Sequence, residues 1–302
     1  MNIHSVCAMI AKKVGIGEKK RMLLKKAFAQ NKVNGVLMGN GTVSLQSVKM
    51  NVYCFYLDGV LIDTGPRILA KELQPFFRDL DIDEVVITHY HEDHTGCASF
   101  FEGRVPIYMN ETMISDCTKK ADYPLYRKVF WGKRKPFRAE PIGDTFTSRK
   151  SRWKVINTPG HTIDHLAFLN EETGQLFTGD LYCQPRTKVI LREESVPKTI
   201  ASIKKVLTYD FEEVYCSHAG YLKNGRDALK KKLDYLQHTE GEILKRFAEG
   251  KTAEQIDAEL FPKKYMITRF SAGEWGSIHI VRSILQSHQK FSAKSGGPST
   301  TS

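Results

Sequence analysis

The sequence predicts an α/β protein with a helical C-terminal appendage. From residue 33 onwards, short runs of β-branched and aromatic residues are broken by Gly and Asp, a pattern typical of strands. Between several of these runs, apolar residues recur every three or four positions and indicate helices. Beyond residue 222 the pattern is purely helical. The chain of 302 residues is 41% hydrophobic and 26% charged, which excludes a disordered or collagen-like protein.

The individual elements follow from the period of the apolar residues. The predicted helices are 68–80, 197–207, 226–247 and 275–289. Thr252 and Gln255 form a capping-box pattern, which predicts a further helix start. The predicted strands are 52–57, 60–62, 85–88, 107–109, 153–157, 166–169, 176–178 and 214–216.

Composition and pattern divide the chain into four expected parts. A basic N-terminal arm, residues 1–32, is expected to be helical over about residues 12–30. The α/β domain is expected over 33–222 and the helical C-terminal module over 223–291. The Ser- and Gly-rich tail, 292–302, is expected to be disordered.

The stretch VVITHYHEDHTG at residues 85–96 carries most of the chemical information. A predicted strand leads directly into His89, His91, Asp93 and His94. Imidazoles and carboxylates are ligands of zinc and similar metal ions. A single ion cannot comfortably take all four ligands from so short a segment. We therefore expect His89 and His91 to bind one ion, and Asp93 and His94 to bind a second.

Three further candidate ligands follow other predicted strands. They are His161 in INTPGHT, Asp180 in LFTGD and His218 in VYCSHAG. Each lies where a strand ends in a loop, the position from which α/β scaffolds present functional side chains. Two divalent ions about 3.5–4 Å apart can share a water and lower its pKa towards neutrality. The residues thus predict a site that produces a hydroxide nucleophile, with Asp93 as both ligand and orienting group.

In this order the motifs resemble those of the metallo-β-lactamase superfamily. The set runs through LIDTG, HYHEDH, TPGHT, FTGD and SHAG and spans residues 52–222. The resemblance implies an αββα sandwich with a dinuclear metal site at one edge. It implies the following ligands: His89, His91 and His161 for the first metal; Asp93, His94 and His218 for the second; Asp180 bridging both; and Asp63 supporting the site as a hydrogen-bond partner of a ligand histidine.

Departures from particular branches of the superfamily narrow the expected chemistry. Asp180 stands where the best-known secreted β-lactamases have a cysteine, which argues against antibiotic hydrolysis. His91 stands where the oxygen-reducing diiron branch has a carboxylate, which favours hydrolysis over redox chemistry. The chain is similar instead to glyoxalase II, acyl-homoserine lactonases and β-lactamase-like endoribonucleases.

The resemblance implies a hydrolase that cleaves an ester, thioester or lactone of an anionic small molecule. The candidate catalytic residues are Asp93, Asp180 and Tyr182, and the expected cofactors are two divalent ions, Zn²⁺ before Mn or Fe. A phosphodiesterase or endoribonuclease with the same ions is the first alternative. A mononuclear-iron sulfur oxygenase is the second.

Charge and cysteine content bear on partners and location. The net charge is +11, and segment 119–154 interleaves aromatic rings with Lys and Arg. That segment could wall a pocket and attract a carboxylate or phosphate, bind single-stranded nucleic acid, or form a basic surface lid. Six scattered cysteines and the lack of a secretory-signal or membrane-spanning pattern predict a cytoplasmic protein with reduced thiols. The C-terminal module could pack on the core or form a homodimer.

Overall fold

The computed structural model describes residues 24–45 and 48–295. Most of the expected N-terminal arm, residues 1–23, and the end of the expected disordered tail, residues 296–302, lie outside this part of the chain. Within the described residues, no helix is both long enough and apolar enough to cross a membrane.

Two β-sheets form the middle of the molecule. The first sheet follows chain order through β1 (Leu24–Val33), β2 (Val36–Leu45), β3 (Val48–Leu57), β4 (Val60–Ile62), β5 (Glu84–Val86), β6 (Ile107–Met109) and β7 (Glu140–Pro141). Strands β1 to β4 pair antiparallel, whereas β4 to β7 pair in parallel.

The second sheet is assembled from the later strands. It contains β8 (Thr145–Thr147), β9 (Arg152–Asn157), β10 (Leu166–Asn170), β11 (Leu176–Gly179), β13 (Val214–Cys216) and β14 (Gly220–Leu222). Their order across the sheet is β14-β13-β11-β10-β9-β8, with β11 and β13 parallel to each other. A separate short ribbon pairs β12 (Ile190–Leu191) with β15 (Trp275–Gly276).

Helices cover the outer faces of both sheets. The α-helices of the described residues are α1 (Ala70–Arg78), α2 (Glu92–Thr95), α3 (Ile114–Cys117), α4 (Leu125–Trp131), α5 (Val196–Val206), α6 (Gly225–Ala248), α7 (Ala253–Leu260), α8 (Met266–Phe270) and α9 (Ile278–Ser295). The capping box predicted at Thr252 is confirmed, because its hydroxyl accepts the backbone N–H of Gln255, whose side chain accepts the backbone N–H of Thr252.

Alternate residues of the central strands face different apolar layers. In β10, Phe168 faces the other sheet, whereas Ala167 faces the helices; in β11, Phe177 and Leu176 divide in the same way. Strands buried on both faces read as continuous apolar runs, which is why the sequence revealed them. The resulting layers are helix, sheet, sheet, helix, so the predicted αββα fold with a helical C-terminal region is confirmed.

The differences from the sequence prediction lie at the margins of the fold. The helix expected over 12–30 is wrong in its described part, because Leu24–Val33 pairs along its whole length with β2. This strand is largely exposed at the sheet edge, where lysines are common, and its charged pattern resembled a helical arm. The last helix begins at Ile278, not at residue 275, and runs to Ser295, into the tail expected to be disordered.

Phe177→Ala tests the layer between the sheets. The Phe177 ring stacks on Tyr215 with centroids 4.8 Å apart and is fully buried. We expect the free energy of unfolding to fall by about 3–5 kcal/mol, because the substitution leaves a cavity between two rigid sheets. Urea denaturation measures the change. As a control, Leu125→Ala, at a residue 46% exposed, should cost about 1 kcal/mol or less. Equal losses in the two variants would contradict this account of the core.

Candidate metal centre

The candidate centre lies at one edge of the sandwich, where strands of both sheets end. The loop after β5 carries the HYHEDH motif, and α2 begins within that motif. His161 follows β9, Asp180 follows β11 and His218 follows β13. The structure brings together all seven residues that the sequence analysis assigned as candidate metal ligands.

One group of ligand atoms comes from three histidines. Ring nitrogens of His89, His91 and His161 lie within 4.8 Å of one another. Nδ1 of His91 is 3.0 Å from Nε2 of His161. This is the set that the resemblance assigned to the first metal.

A second group joins a carboxylate to two histidines. Donor atoms of Asp93, His94 and His218 lie within 4.8 Å of one another. Oδ2 of Asp93 is 3.5 Å from Nε2 of His218 and 3.7 Å from Nε2 of His94. This is the set that the resemblance assigned to the second metal.

The carboxylate of Asp180 lies between the two groups. Its Oδ2 is 3.3 Å from Nε2 of His161 and 2.9 Å from Nε2 of His218. Its Oδ1 is 3.4 Å from Nε2 of His94. Asp180 therefore faces both sets of ligands, the position required of a bridging residue.

Each candidate ligand histidine has a partner on the ring nitrogen that points away from the centre. These contacts are Thr88 Oγ1 with His89 Nδ1, Glu193 Oε1 with His91 Nε2, Asp63 Oδ2 with His94 Nδ1, Glu194 Oε2 with His161 Nδ1, and the Asn51 carbonyl with His218 Nδ1. Such contacts fix the tautomer and the orientation of metal-binding histidines.

Three of the atoms that face the centre lack hydrogen bonds of their own. Among the described residues, Nε2 of His89, Nε2 of His94 and Oδ1 of Asp180 are buried and make no hydrogen bond. Buried polar atoms without a partner are rare in proteins. Since nitrogen and oxygen donor atoms of these three residues lie within 4.8 Å of one another, the three residues fit a bound divalent ion.

Protonation differs among the candidate ligand histidines when no ion is bound. At His161, burial lowers the pKa less than the Glu194 and Asp180 carboxylates raise it, so its pKa is raised. Burial lowers the pKa of His89 well below its usual value and that of His91 to about 4. Burial also acts on His218, but the carboxylates of Asp180 and Asp93 outweigh it and raise the pKa of His218 to about 10. A proton on His218 must leave before Nε2 can bind an ion, so metal binding on this side strengthens as pH rises.

Asp63 connects the site to the first sheet. Besides Nδ1 of His94, at 2.7 Å, its carboxylate accepts the backbone N–H of Thr88 at 2.9 Å. Its backbone has φ +59°, a conformation that asparagine and aspartate adopt more readily than most residues. The end of β4 is thereby tied to the loop that carries the HYHEDH motif.

Sequence reasoning missed His165, which supports Asp180 from behind. Its Nε2 accepts the backbone N–H of Asp180 at 3.0 Å. Burial lowers the pKa of His165 to about 3, which keeps the ring neutral and able to accept. The available signal was a second histidine four residues after His161 in HTIDH.

Gly179 must be a glycine because His165 lies so close. Its φ is +49°, and a Cβ there would lie 2.7 Å from Nε2 of His165 and 3.0 Å from Cβ of Thr88. The glycine of FTGD therefore lets the backbone at residue 179 come close to His165. The position of Asp180 depends on this close approach.

Glu193 and Glu194 were also missed. They lie between β12 and α5, and Glu193 is 102 positions away from the histidine that it contacts. No motif joins residues so far apart in the chain. Only the packing of the β12–α5 loop against the ligand loops reveals their role.

A pocket of about 360 Å³ opens over the candidate ligands. Helix α4 supplies part of its wall, and Arg127 of this helix forms a two-point ion pair with Glu92, at 2.6 and 2.7 Å, within the HYHEDH motif. Apolar residues, three of them in α4, cover much of the wall: Tyr126, Phe130, Trp131, Ile190, Leu191, Leu236, Ile267 and Trp275.

Helix α4 of segment 119–154 therefore forms part of the pocket wall, as the first of the three expected roles requires. The segment's rings at Tyr126, Phe130 and Trp131 line the pocket, and those at Phe137 and Trp153 are fully buried in the core. The two rings in the core are not offered to stacking bases, whereas the three that line the pocket are, so the nucleic-acid alternative stays a prediction.

Tyr182, the remaining candidate catalytic residue, lies differently from the others. Its side chain is 7% exposed and packs in the apolar layer between the second sheet and the C-terminal helices. It is not among the described residues that line the pocket. The phenol group of Tyr182 thus has no contact with the pocket in which its predicted catalytic role would be carried out.

A comparison of the sequence with models of known protein families agrees with the fold and with the geometry of the site. The model of the metallo-β-lactamase superfamily matches residues 50–218, which contain every candidate ligand. The chain belongs to the metallo-β-lactamase superfamily. A solved metallo-β-lactamase family protein from Thermus thermophilus has the same fold, with a TM-score of 0.61 and 19% identity, over 89% of this chain and 94% of that one.

Curated relatives within the superfamily include fungal proteins. Lactamase-like protein aptB of Emericella nidulans is 29% identical over 222 residues, which cover 70% of this chain and 63% of that protein. Thioesterase pkgB of the same organism is 30% identical over 144 residues, 46% of this chain and 37% of that protein. The matched region thus spans less than two thirds of the length of either relative.

Glu193→Ala and Glu194→Ala test the support of the candidate metal ligands. Without these carboxylates, His91 and His161 lose the contact that orients them, so we expect the affinity for Zn²⁺ to fall about 10–100-fold. Competition with a chromophoric chelator measures the affinity. Glu249→Ala removes an exposed glutamate of the C-terminal module and should leave the affinity unchanged. Wild-type affinity in both loop variants would refute the support role.

Proposed function

We propose that this chain is a metal-dependent hydrolase that cleaves an ester, thioester or lactone of an anionic small molecule. The observation that carries the proposal is the position of Asp180 between two groups of ligand atoms, beneath a pocket with an apolar wall. The name of the relative pkgB, a thioesterase, supports an acyl substrate.

Two divalent ions bound by these residues would activate a water molecule and polarise the scissile carbonyl. The chain itself holds the reacting groups in place. Asp180 would be shared by both ions, and Asp93 has a carboxylate that can both ligate and accept a hydrogen bond from the nucleophile. The apolar wall would bind the acyl chain and exclude bulk water, which strengthens electrostatic interactions in the site.

Zinc is the proposed metal, because the donors are imidazole nitrogens and carboxylate oxygens. The same donors also suit manganese and iron. A cytoplasmic location and a homodimer formed through the C-terminal module are further proposals, which rest on the sequence alone.

Asp180→Asn and His91→Ala test the two-metal proposal. Each removes a ligand that the mechanism requires, so we expect hydrolysis to fall at least about a thousandfold, whereas Asp210→Asn at an exposed site should change nothing. Rates on a panel of lactones, thioesters, phosphodiesters and short RNAs, with elemental analysis of each protein, measure the outcome. Treatment with a chelator should abolish activity, and added Zn²⁺ should restore it. Full activity in either ligand variant would refute the mechanism.

Tyr182→Phe tests the predicted catalytic role of the phenol group. Because the ring packs in an apolar layer away from the pocket, we expect the variant to retain turnover within about twofold. Steady-state kinetics on the best substrate of the panel decides the question. A loss of tenfold or more, without a change in thermal stability, would establish the role that the sequence predicted.

A further inference from the structure

Helix α6 places a lysine where its pattern calls for an apolar residue. The buried face of the helix runs through Leu229, Lys232, Leu236 and Ile243, at helical spacing. The Lys232 side chain is only 6% exposed, and it lines the same pocket as His91 and Asp180.

The ammonium group of Lys232 has a backbone acceptor but no carboxylate beside it. Its Nζ donates to the carbonyl oxygen of Tyr182 at 2.6 Å. Among the ion pairs of the described residues, none involves Lys232. An ammonium carries three donors, so at least one N–H remains available to a ligand in the pocket.

The other cations of the pocket wall are placed differently. Arg127 is already neutralised by Glu92 and also contacts Glu274 at 3.2 Å. Lys49 is exposed to solvent at the pocket wall. The buried positive charge that lacks a protein counter-charge in this wall is therefore that of Lys232.

Burial of an ammonium without an opposite charge is energetically unfavourable, because the ion loses its hydration. A leucine or methionine would fill the same position on the helix without that cost. The cost is offset when an anion enters the pocket and pairs with the ammonium in a water-poor environment, where such a pair is strong. A single positive charge matches a carboxylate more closely than a doubly charged phosphate.

The position of the lysine also indicates which part of the substrate it meets. Lys232 is bonded to the turn that begins immediately after Asp180, the residue shared by both groups of ligands. An anion at Nζ would therefore lie beside the reacting centre and not at the pocket rim.

We propose that Lys232 binds a carboxylate of the substrate and makes the enzyme select anionic acyl compounds over neutral ones. The inference rests on the proposed hydrolase function and adds a specificity-determining residue to it. The competing account is that Lys232 only holds the turn at Tyr182 in place.

A matched pair of substrates separates the two accounts. The succinyl thioester of N-acetylcysteamine carries a free carboxylate, and its methyl ester is the neutral counterpart. In Lys232→Met, which keeps an unbranched side chain without the charge, we expect kcat/KM for the anionic thioester to fall about 10–100-fold, chiefly through KM. We expect the neutral thioester to change less than about threefold. Lys232→Arg should keep most of the preference, and Lys231→Met, at the adjacent exposed lysine, all of it.

Equal losses on both thioesters in Lys232→Met would overturn the proposal, because a structural role affects both substrates alike. A binding measurement tests the anion site independently of whether the protein is a hydrolase. Trp131 and Trp275 line the pocket, so their fluorescence reports its occupancy. Titration of metal-loaded protein with hexanoate and with hexanamide compares an anion with a neutral molecule of similar shape.

We expect the wild type to bind hexanoate more tightly than hexanamide. In Lys232→Met we expect the ratio of the two affinities to fall about tenfold, because only the part of the preference that comes from the metals is retained. If metal-loaded protein hydrolyses nothing in the panel but shows this difference, the hydrolase proposal fails and the anion site stands. If hydrolysis occurs and Lys232→Met binds hexanoate as the wild type does, the anion site fails alone.

Discussion

The arrangement of the site depends on one carboxylate. Asp180 lies within 3.4 Å of three histidine nitrogens that come from three different loops, and the carboxylate of Asp93 faces two of the same histidines, His94 and His218. Two buried carboxylates that face the same histidines repel each other unless positive charge lies between them. Protonated histidines supply that charge when no ion is bound, and divalent ions would supply it in the proposed enzyme. The surrounding fold therefore has to hold donor atoms together that would otherwise separate.

The sandwich holds the donor atoms together in two ways: the ligands are attached to the ends of rigid strands, and hydrogen bonds from other residues surround them. Parallel strands β11 and β13 bring Asp180 and His218 to the same edge. Asp63 joins the end of β4 to His94, and His165 holds the backbone of Asp180. Since each contact crosses from one loop to another, the precision of the centre is a property of the packed sheets and not of any single motif.

The candidate centre is acidic although the chain as a whole is basic. The candidate ligands lie in stretches of the sequence that are rich in acidic residues, whereas the basic segment 119–154 contributes helix α4 to the wall. Arg127 of this segment forms an ion pair with Glu92. The positive charge of Arg127 therefore stabilises the contact between the pocket wall and the HYHEDH loop. The cation left for a substrate comes from the C-terminal helix α6, which gives this helical region a role in the pocket beyond packing.

The sequence alone determined the central strands, the long helices and the identity of the candidate ligands. Apolar periodicity and the motifs at strand ends are local signals, readable within about ten residues. Edge strand β1 was misread because exposed, charged residues carry no apolar pattern that separates a strand from a helix. Glu193, Glu194 and Lys232 could not be assigned from local signals, since each acts through a contact with a distant part of the chain. His165 had a local signal in HTIDH, but its contact with the backbone of Asp180 appears only in the folded chain. Only the tertiary structure decided these roles, because the physical interactions that define them exist only once the layers have packed.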